Sequence, residues 1–434
     1  MRYYSTNHKV SSASLQEVVI KGLAEDRGLY MPEEIPVLPL SFFESIDRMS
    51  LQEISFRIAD ALFGEDVEKD TLKDLVYEAM NFEIPLVKVK DDVYSLELFH
   101  GPTLAFKDVG ARFMARLLGY FIKKQGEKEV KVLVATSGDT GSAVANGFLG
   151  VEGIKVYVLY PKGRVSKIQE QQFTTLGKNI TALEIDGNFD DCQRLVKTAF
   201  LDKDLSSKLH LTSANSINVA RFLPQSFYYF QAYAQMKKMG IDKSKPIVCC
   251  VPSGNFGNFS AALVAKKMGL PIHRFIAANN SNDIFYQYLQ KGEYVPRPSI
   301  ATIANAMDVG DPSNFVRVLD LFEGKWENIK REVSGATYTN EQISQTILET
   351  YKETGYLLDP HGAVGYRALK EGIKEGEVGF FVETAHPAKF KDVVESIIRE
   401  EVIIPQRLQE FMKNKKQSLS LSKEFEDFKQ FLLQ

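Results

Sequence analysis

A lysine set among apolar residues is the first place where this sequence could do chemistry. In residues 98–112 (LFHGPTLAFKDVGAR), Lys107 follows Leu104, Ala105 and Phe106 and precedes Asp108. An apolar setting disfavours the ammonium form and lowers the amine pKa from about 10.4. A neutral amine is what Schiff-base formation with a carbonyl cofactor requires. A lysine at a helix start that snorkels to solvent is the plainer alternative.

Four polar segments could supply the rest of a site. Residues 136–144 (TSGDTGSAV) offer unpaired N–H groups and small side chains at a helix start, which suits an anion such as an amino-acid carboxylate. They match neither GxGxxG nor GxxxxGK[ST], so dinucleotide and P-loop chemistry is disfavoured. Residues 251–258 (VPSGNFGN) could wrap a phosphate monoester; no lysine follows, which argues against a nucleoside triphosphate. In residues 212–221 (TSANSINVAR), Asn215, Ser216, Asn218 and Arg221 gather near a helix start, and Arg221 could fork onto a phosphate. Residues 382–390 (VETAHPAKF) carry Thr384, whose hydroxyl could meet a pyridine nitrogen. His386 in the same segment, and His361 in DPHG, read as structural histidines. The six histidines show no metal-ligand spacing.

These segments need elements to present them. Residues 1–80 read as helical, interrupted by the prolines of MPEEIPVLPL (31–40), and form a small N-terminal domain over 1–81. From residue 82 short Val- and Ile-rich runs alternate with helical patterns. Strands are expected at 130–135, 154–160, 180–185, 247–251, 274–278 and 379–382. Helices are expected at 140–150, 166–176, 190–201, 219–239 and 259–268. Strand–helix alternation with apolar strands implies parallel sheets covered on both faces. Two such blocks within 82–434 predict two α/β subdomains with a cleft between them. Ligand sites in open α/β sheets lie beyond the carboxyl ends of strands, where the polar segments fall. The tail 413–434 is charged and reads as a surface helix.

Composition closes off other classes. Apolar residues make up 44% and charged residues 25%, as in ordinary globular proteins. A net charge of −3 disfavours a nucleic-acid partner. No apolar run approaches the ~20 residues that span a bilayer, and the polar N-terminus lacks a signal core, so a cytoplasmic location is expected. Cys192, Cys249 and Cys250 form no CxxC pair and read as small core hydrophobes.

HGPTLAFKD with Lys107, SGDTG (137–141), NSINVAR (215–221), SGNFGN (253–258) and ETAHPAKF (383–390) resemble the threonine synthase family. GLAEDRGLYMPEEIP (22–36) and NAMDVGDPSNFVR (305–317) do so too, and the segments occur in the family's order. The resemblance implies an α/β fold type II pyridoxal 5'-phosphate (PLP) enzyme, similar to tryptophan synthase β. It implies a carbon–oxygen lyase converting O-phospho-L-homoserine and water to L-threonine and phosphate, the last step of threonine biosynthesis, working as a monomer or homodimer. Lys107 would hold PLP as a Schiff base and be catalytic. Gly254, Asn255, Phe256, Gly257 and Asn258 would cradle the cofactor phosphate, with Thr384 at the ring nitrogen. Ser137, Gly138 and Thr140 would bind the substrate carboxylate, and Asn215, Ser216 and Arg221 the substrate phosphate. One position departs. Many fold type II enzymes place an asparagine beside the cofactor phenolate oxygen, and here Asp139 stands there. A carboxylate repels a phenolate unless one of them is protonated or displaced. A different PLP lyase, such as a serine/threonine dehydratase or an amino-phospholyase, and a catalytically silent binding protein are the competing readings.

Overall fold

The run VKVLVA forms the strand Val130–Ala135, and all six residues are buried. Branched residues covered on both sides belong in the middle of a parallel sheet. In this computed structural model, which describes residues 1–126 and 129–434, the strand sits in a five-stranded parallel sheet. Its order is Leu419–Leu421, Ile180–Ile185, Ile154–Pro161, Val130–Ala135, His210–Ser213. A six-stranded sheet is ordered Val333–Thr337, Arg274–Asn279, Ile247–Pro252, Val378–Glu383, Val93–Glu97, Leu86–Lys90. It is parallel except for its last strand, which returns antiparallel.

The sheets belong to two units. One comprises Met1, Pro32–Phe106 and Phe222–Ile403, and holds the six-stranded sheet. The other comprises Arg2–Met31, Lys107–Arg221 and Ile404–Gln434, and holds the five-stranded sheet. Cys192, Cys249 and Cys250 are all buried and reduced, as expected of core residues. Burial pushes the Cys192 thiol up to about 12. No described helix is long and apolar enough to cross a membrane.

Three expectations are corrected. The N-terminal region is not wholly helical: Arg2–Ser5 pairs antiparallel with Ala13–Ser14, and Tyr30–Pro32 completes a small sheet. The helix expected at 219–239 is three pieces, Val219–Phe222, a 3-10 turn Leu223–Ser226, and Phe227–Lys238. Pro224 breaks it, because proline lacks the N–H a continuous helix requires and its ring crowds the preceding turn. The tail is not a single surface helix either. Leu419–Leu421 pairs with Ile180–Ile185, and the helix Phe425–Leu433 seats Phe428 and Leu432, both 0% exposed, among Leu183, Ile185 and Leu195. The buried Lys131 Nζ donates to the Leu432 carbonyl at 2.6 Å and fixes that helix end.

Candidate active site

Lys107 is the first residue of the helix Lys107–Gln125 and is half-buried. There the axial dipole works against an ammonium group. The backbone ahead of it is held tightly. Leu104 has φ 56°, a left-handed conformation that costs an L-residue roughly 1–2 kcal/mol. The surrounding bonds keep it there. The His386 N–H donates to the Leu104 carbonyl at 3.1 Å, and the Phe106 N–H to the Thr384 carbonyl at 2.9 Å. Ala105 and Ala385 form an antiparallel bridge, and Lys389 Nζ donates to the Thr103 carbonyl at 2.9 Å. Residues 103–106 are therefore stitched to 384–389, and Lys107 follows directly.

In the same unit, the strand Val130–Ala135 ends in the turn that leads to the helix Asp139–Gly147. Thr136 Oγ1 accepts from the Gly138 and Gly141 N–H groups at 2.9 and 2.8 Å. Gly138 has φ 143° and lies on Gln169, whose Cδ would stand 2.6 Å from an added Cβ, so glycine alone fits. Ser137 and Thr140 are partly exposed on the turn. Gln169 Nε2 donates to Asp139 Oδ1 at 2.8 Å, which gives the departing carboxylate a buried amide partner. Nothing in the sequence around Gln169 signalled this, since the two residues are far apart in the chain.

The neighbouring parallel strand His210–Ser213 leads to Asn215, Ser216 and Arg221. Asn215 Nδ2 donates to the Ala135 carbonyl at 3.3 Å, so the two strand-end loops adjoin. Asn215 and Ser216 are half-buried, and Arg221 is 2% exposed. Burial lowers the Arg221 guanidinium to about 10, opposed by the Asp108 carboxylate, so it remains a cation near neutrality. Gly110, one turn past Lys107, admits no side chain, because its Cβ would lie 2.3 Å from the Arg221 carbonyl oxygen. Asn218 turns away from this set; its Nδ2 donates to the Val19 carbonyl at 2.9 Å, and its Oδ1 accepts from the Ala220 N–H.

The other unit carries the remaining predicted residues. Ile247–Pro252 and Val378–Glu383 are adjacent parallel strands, with Cys250 opposite Phe381. Their ends bring the 253–258 loop and Thr384 side by side. Phe256 adopts φ 62° and starts the helix Gly257–Lys267. The first N–H groups of that helix have no intrahelical acceptor and carry the positive end of its dipole. A Cβ on Gly254 would lie 2.6 Å from Met307 Cα. The asparagines shape the loop. Asn258 Oδ1 accepts from Ser253 Oγ and the Phe259 N–H, and its Nδ2 donates to the Pro252 carbonyl. Asn255 Oδ1 accepts from the Ser313 N–H at 2.6 Å, and its carbonyl accepts from Asn314 Nδ2 at 3.0 Å. The buried Arg317 donates to Asn314 Oδ1 at 2.6 Å and lies over the Phe222 ring. A tight glycine, a left-handed turn and a helix N-terminus fit a phosphate monoester dianion held by backbone N–H groups. Residues 313–317 back that cradle.

Thr384 is 6% exposed. His386 acts structurally: its Nδ1 accepts from the Ala388 N–H at 3.1 Å, and its ring meets Phe99 edge-on. Among the described residues no group of three or more His, Cys, Asp or Glu is placed to hold a metal ion.

Comparison with known proteins identifies the family. Residues 83–383 match the family described as pyridoxal-phosphate dependent enzymes. Residues 2–80 match the threonine synthase N terminus, and 362–432 its C-terminal region. The chain is 45% identical over 408 residues to threonine synthase from Serratia marcescens, covering 94% of this chain and 93% of that one. It superposes on the crystal structure of threonine synthase from Escherichia coli with a TM-score of 0.93 at 42% identity, covering 100% and 99% of the two chains. PLP-bound threonine synthase from Brucella melitensis gives a TM-score of 0.93 at 34% identity, covering 100% and 98%. With family matches along the chain and full-length similarity in sequence and structure in agreement, the chain belongs to the threonine synthase family of pyridoxal-phosphate-dependent enzymes.

Proposed function

We propose that this protein converts O-phospho-L-homoserine and water to L-threonine and phosphate, with Lys107 as its covalent anchor and proton carrier. The observation that carries the reading is the full-length likeness to threonine synthases. When bound, PLP supplies the electron sink that lets protons leave Cα and Cβ of an amino acid. The backbone N–H groups of Gly254, Asn255, Phe256, Gly257 and Asn258 would hold its phosphate, and the Thr384 hydroxyl its ring nitrogen. Thr384 is uncharged and so leaves that nitrogen without a carboxylate partner.

Ser137, Gly138 and Thr140 orient the substrate carboxylate on the dipole end of the helix Asp139–Gly147. Arg221, with Asn215 and Ser216, receives the substrate phosphate and stabilises the charge that grows on it as it leaves Cγ. The Lys107 amine, free once substrate has entered, would take one proton each from Cα and Cβ and return them at Cγ, which becomes the methyl group after phosphate leaves, and at Cα. Water then adds at Cβ. The reading takes the protein as a cytoplasmic enzyme acting on a small molecule as a monomer or homodimer.

The test supplies O-phospho-L-homoserine to the PLP-loaded protein and quantifies phosphate and threonine together. Equal yields of the two support the proposal. Phosphate without threonine assigns a different lyase activity. Lys107→Ala is expected to abolish both the visible absorption of the bound cofactor and turnover.

A further inference from the structure

Gly254 rests on the backbone of residues 306–307: an added Cβ would lie 2.6 Å from Met307 Cα and 3.1 Å from the Ala306 oxygen. The Ala306 N–H donates to His361 Nε2 at 3.1 Å. A nitrogen that accepts carries no hydrogen, so the imidazole hydrogen sits on Nδ1. His361 Nδ1 lies 2.5 Å from Asp359 Oδ1. Asp359 also caps the helix Pro360–Gly372 through the N–H groups of His361 and Gly362, at 2.8 and 3.2 Å. Its own N–H donates to Glu383 Oε1 at 2.8 Å. Glu383 immediately precedes Thr384. Burial, and then the Asp359 carboxylate, push the Glu383 carboxyl well above the usual carboxylate range. Gly362 makes room for it, since a Cβ there would fall 1.6 Å from Glu383 Oε2. Asp359, His361 and Glu383 are 0%, 3% and 0% exposed. Water is therefore kept from the bonds among these three side chains, while the Ala306 end is part-buried.

We infer that Asp359 and His361 are positioning residues that tie the segment behind the Gly254 loop to the strand end bearing Thr384, and that they set cofactor affinity through its phosphate. The inference rests on the proposed roles of the Gly254 loop and Thr384. Neither residue is assigned a contact with the cofactor. They act through Ala306 at one end and Glu383 at the other. His361 is suited to this because its two ring nitrogens face different partners in fixed donor and acceptor roles.

Two isosteres separate positioning from packing. His361→Asn keeps a donor near Nδ1 for Asp359 and loses the acceptor for Ala306. His361→Gln reaches the Nε2 place, keeps that acceptor and loses Asp359. Dissociation constants of the apo full-length chain for PLP and for pyridoxal, which lacks the phosphate, are then compared. Loss of the Ala306 bond in His361→Asn should weaken PLP about tenfold while leaving pyridoxal within about twofold, and His361→Gln, which cuts the link at Asp359, should weaken PLP in the same selective way. Ala306→Pro, which deletes the donor but also fixes φ and restricts Asn305 in its 3-10 turn, carries the same expectation and serves if His361→Asn does not fold. Equal weakening of both ligands, or no change in either, would overturn the inference. Gly254→Ala is the control: it should weaken PLP selectively. If Gly254→Ala does so and the His361 and Ala306 variants do not, the loop assignment stands and the positioning inference falls. If Gly254→Ala leaves PLP selectivity intact, the loop assignment itself fails, and the inference with it.

Discussion

At the scale of single residues, His386 couples this protein to acid. Burial, then the neighbouring His100, depress its imidazole from 6.5 to about 4, against the opposing pull of Glu97 and Asp359. Its Nδ1 accepts from the Ala388 N–H, a bond that only the unprotonated ring can make. A depressed folded-state value means stability is complete above about pH 6.5 and is lost as pH falls towards 4. Urea unfolding between pH 7 and 4 should show that loss. His386→Asn, which keeps an acceptor near Nδ1 and does not titrate there, should flatten the slope in that window; an unchanged slope would show that other groups control it. Much of the chemistry was legible at this scale. Lys107, the glycine-bearing turns and Thr384 stand out by residue type beside a strand or helix end, and His361 and His386 make hydrogen bonds to backbone and side-chain groups of the fold. The partners that fix such residues do not stand out. Gln169 meets Asp139, and His361 meets Ala306, across 30 and 55 positions of sequence. Local pattern carries no record of such pairings.

At the scale of elements, buried strands were legible because β-branched runs have few other places to go. The run Ile180–Ile185 has the bounds its sequence suggests, and Cys249 and Cys250 lie in a fully covered strand. Short or polar strands were not legible. His210–Ser213 has four residues and only two of them buried, and Val333–Thr337 includes Ser334 and Gly335, so each takes its conformation from the neighbour it pairs with. The C-terminal helix misled for a different reason. Its charges are plain to see, while the spacing of Phe428 and Leu432, four apart on one face, is diluted by them. Phe428→Ala should therefore cost about 3–5 kcal/mol in a denaturant titration, as for other buried aromatics. A cost below about 1 kcal/mol, the range of surface changes, would show that this helix is not part of the core.

For the whole molecule, the fold class was readable from the alternation of strands and helices together with the order of the polar segments. The way the units divide the chain was not, because it depends on which distant segments pack together. The cofactor should act on stability at this scale. A ligand that binds only the folded chain stabilises it by mass action, by about 2.7 kcal/mol at a hundredfold excess over its dissociation constant. Stripping PLP should lower the calorimetric midpoint, and adding it back should restore the midpoint. Identical midpoints with and without PLP would mean the cofactor is not linked to folding.

The placement of the tail has a consequence for how the protein is made. The unit that bears Lys107 takes its edge strand and a core helix from residues 404–434. Domains generally fold as they leave the ribosome, N-terminal first. Here Lys131 emerges some 300 residues before the Leu432 carbonyl that accepts its hydrogen bond. Once residues 180–185 have emerged, and until the tail follows, the growing chain carries an incomplete sheet with an open edge at Ile180–Ile185, the kind of surface that recruits wrong partners. A nascent chain stalled short of its last thirty residues would thus have every chemical group of the proposed site and still lack a finished scaffold for half of them.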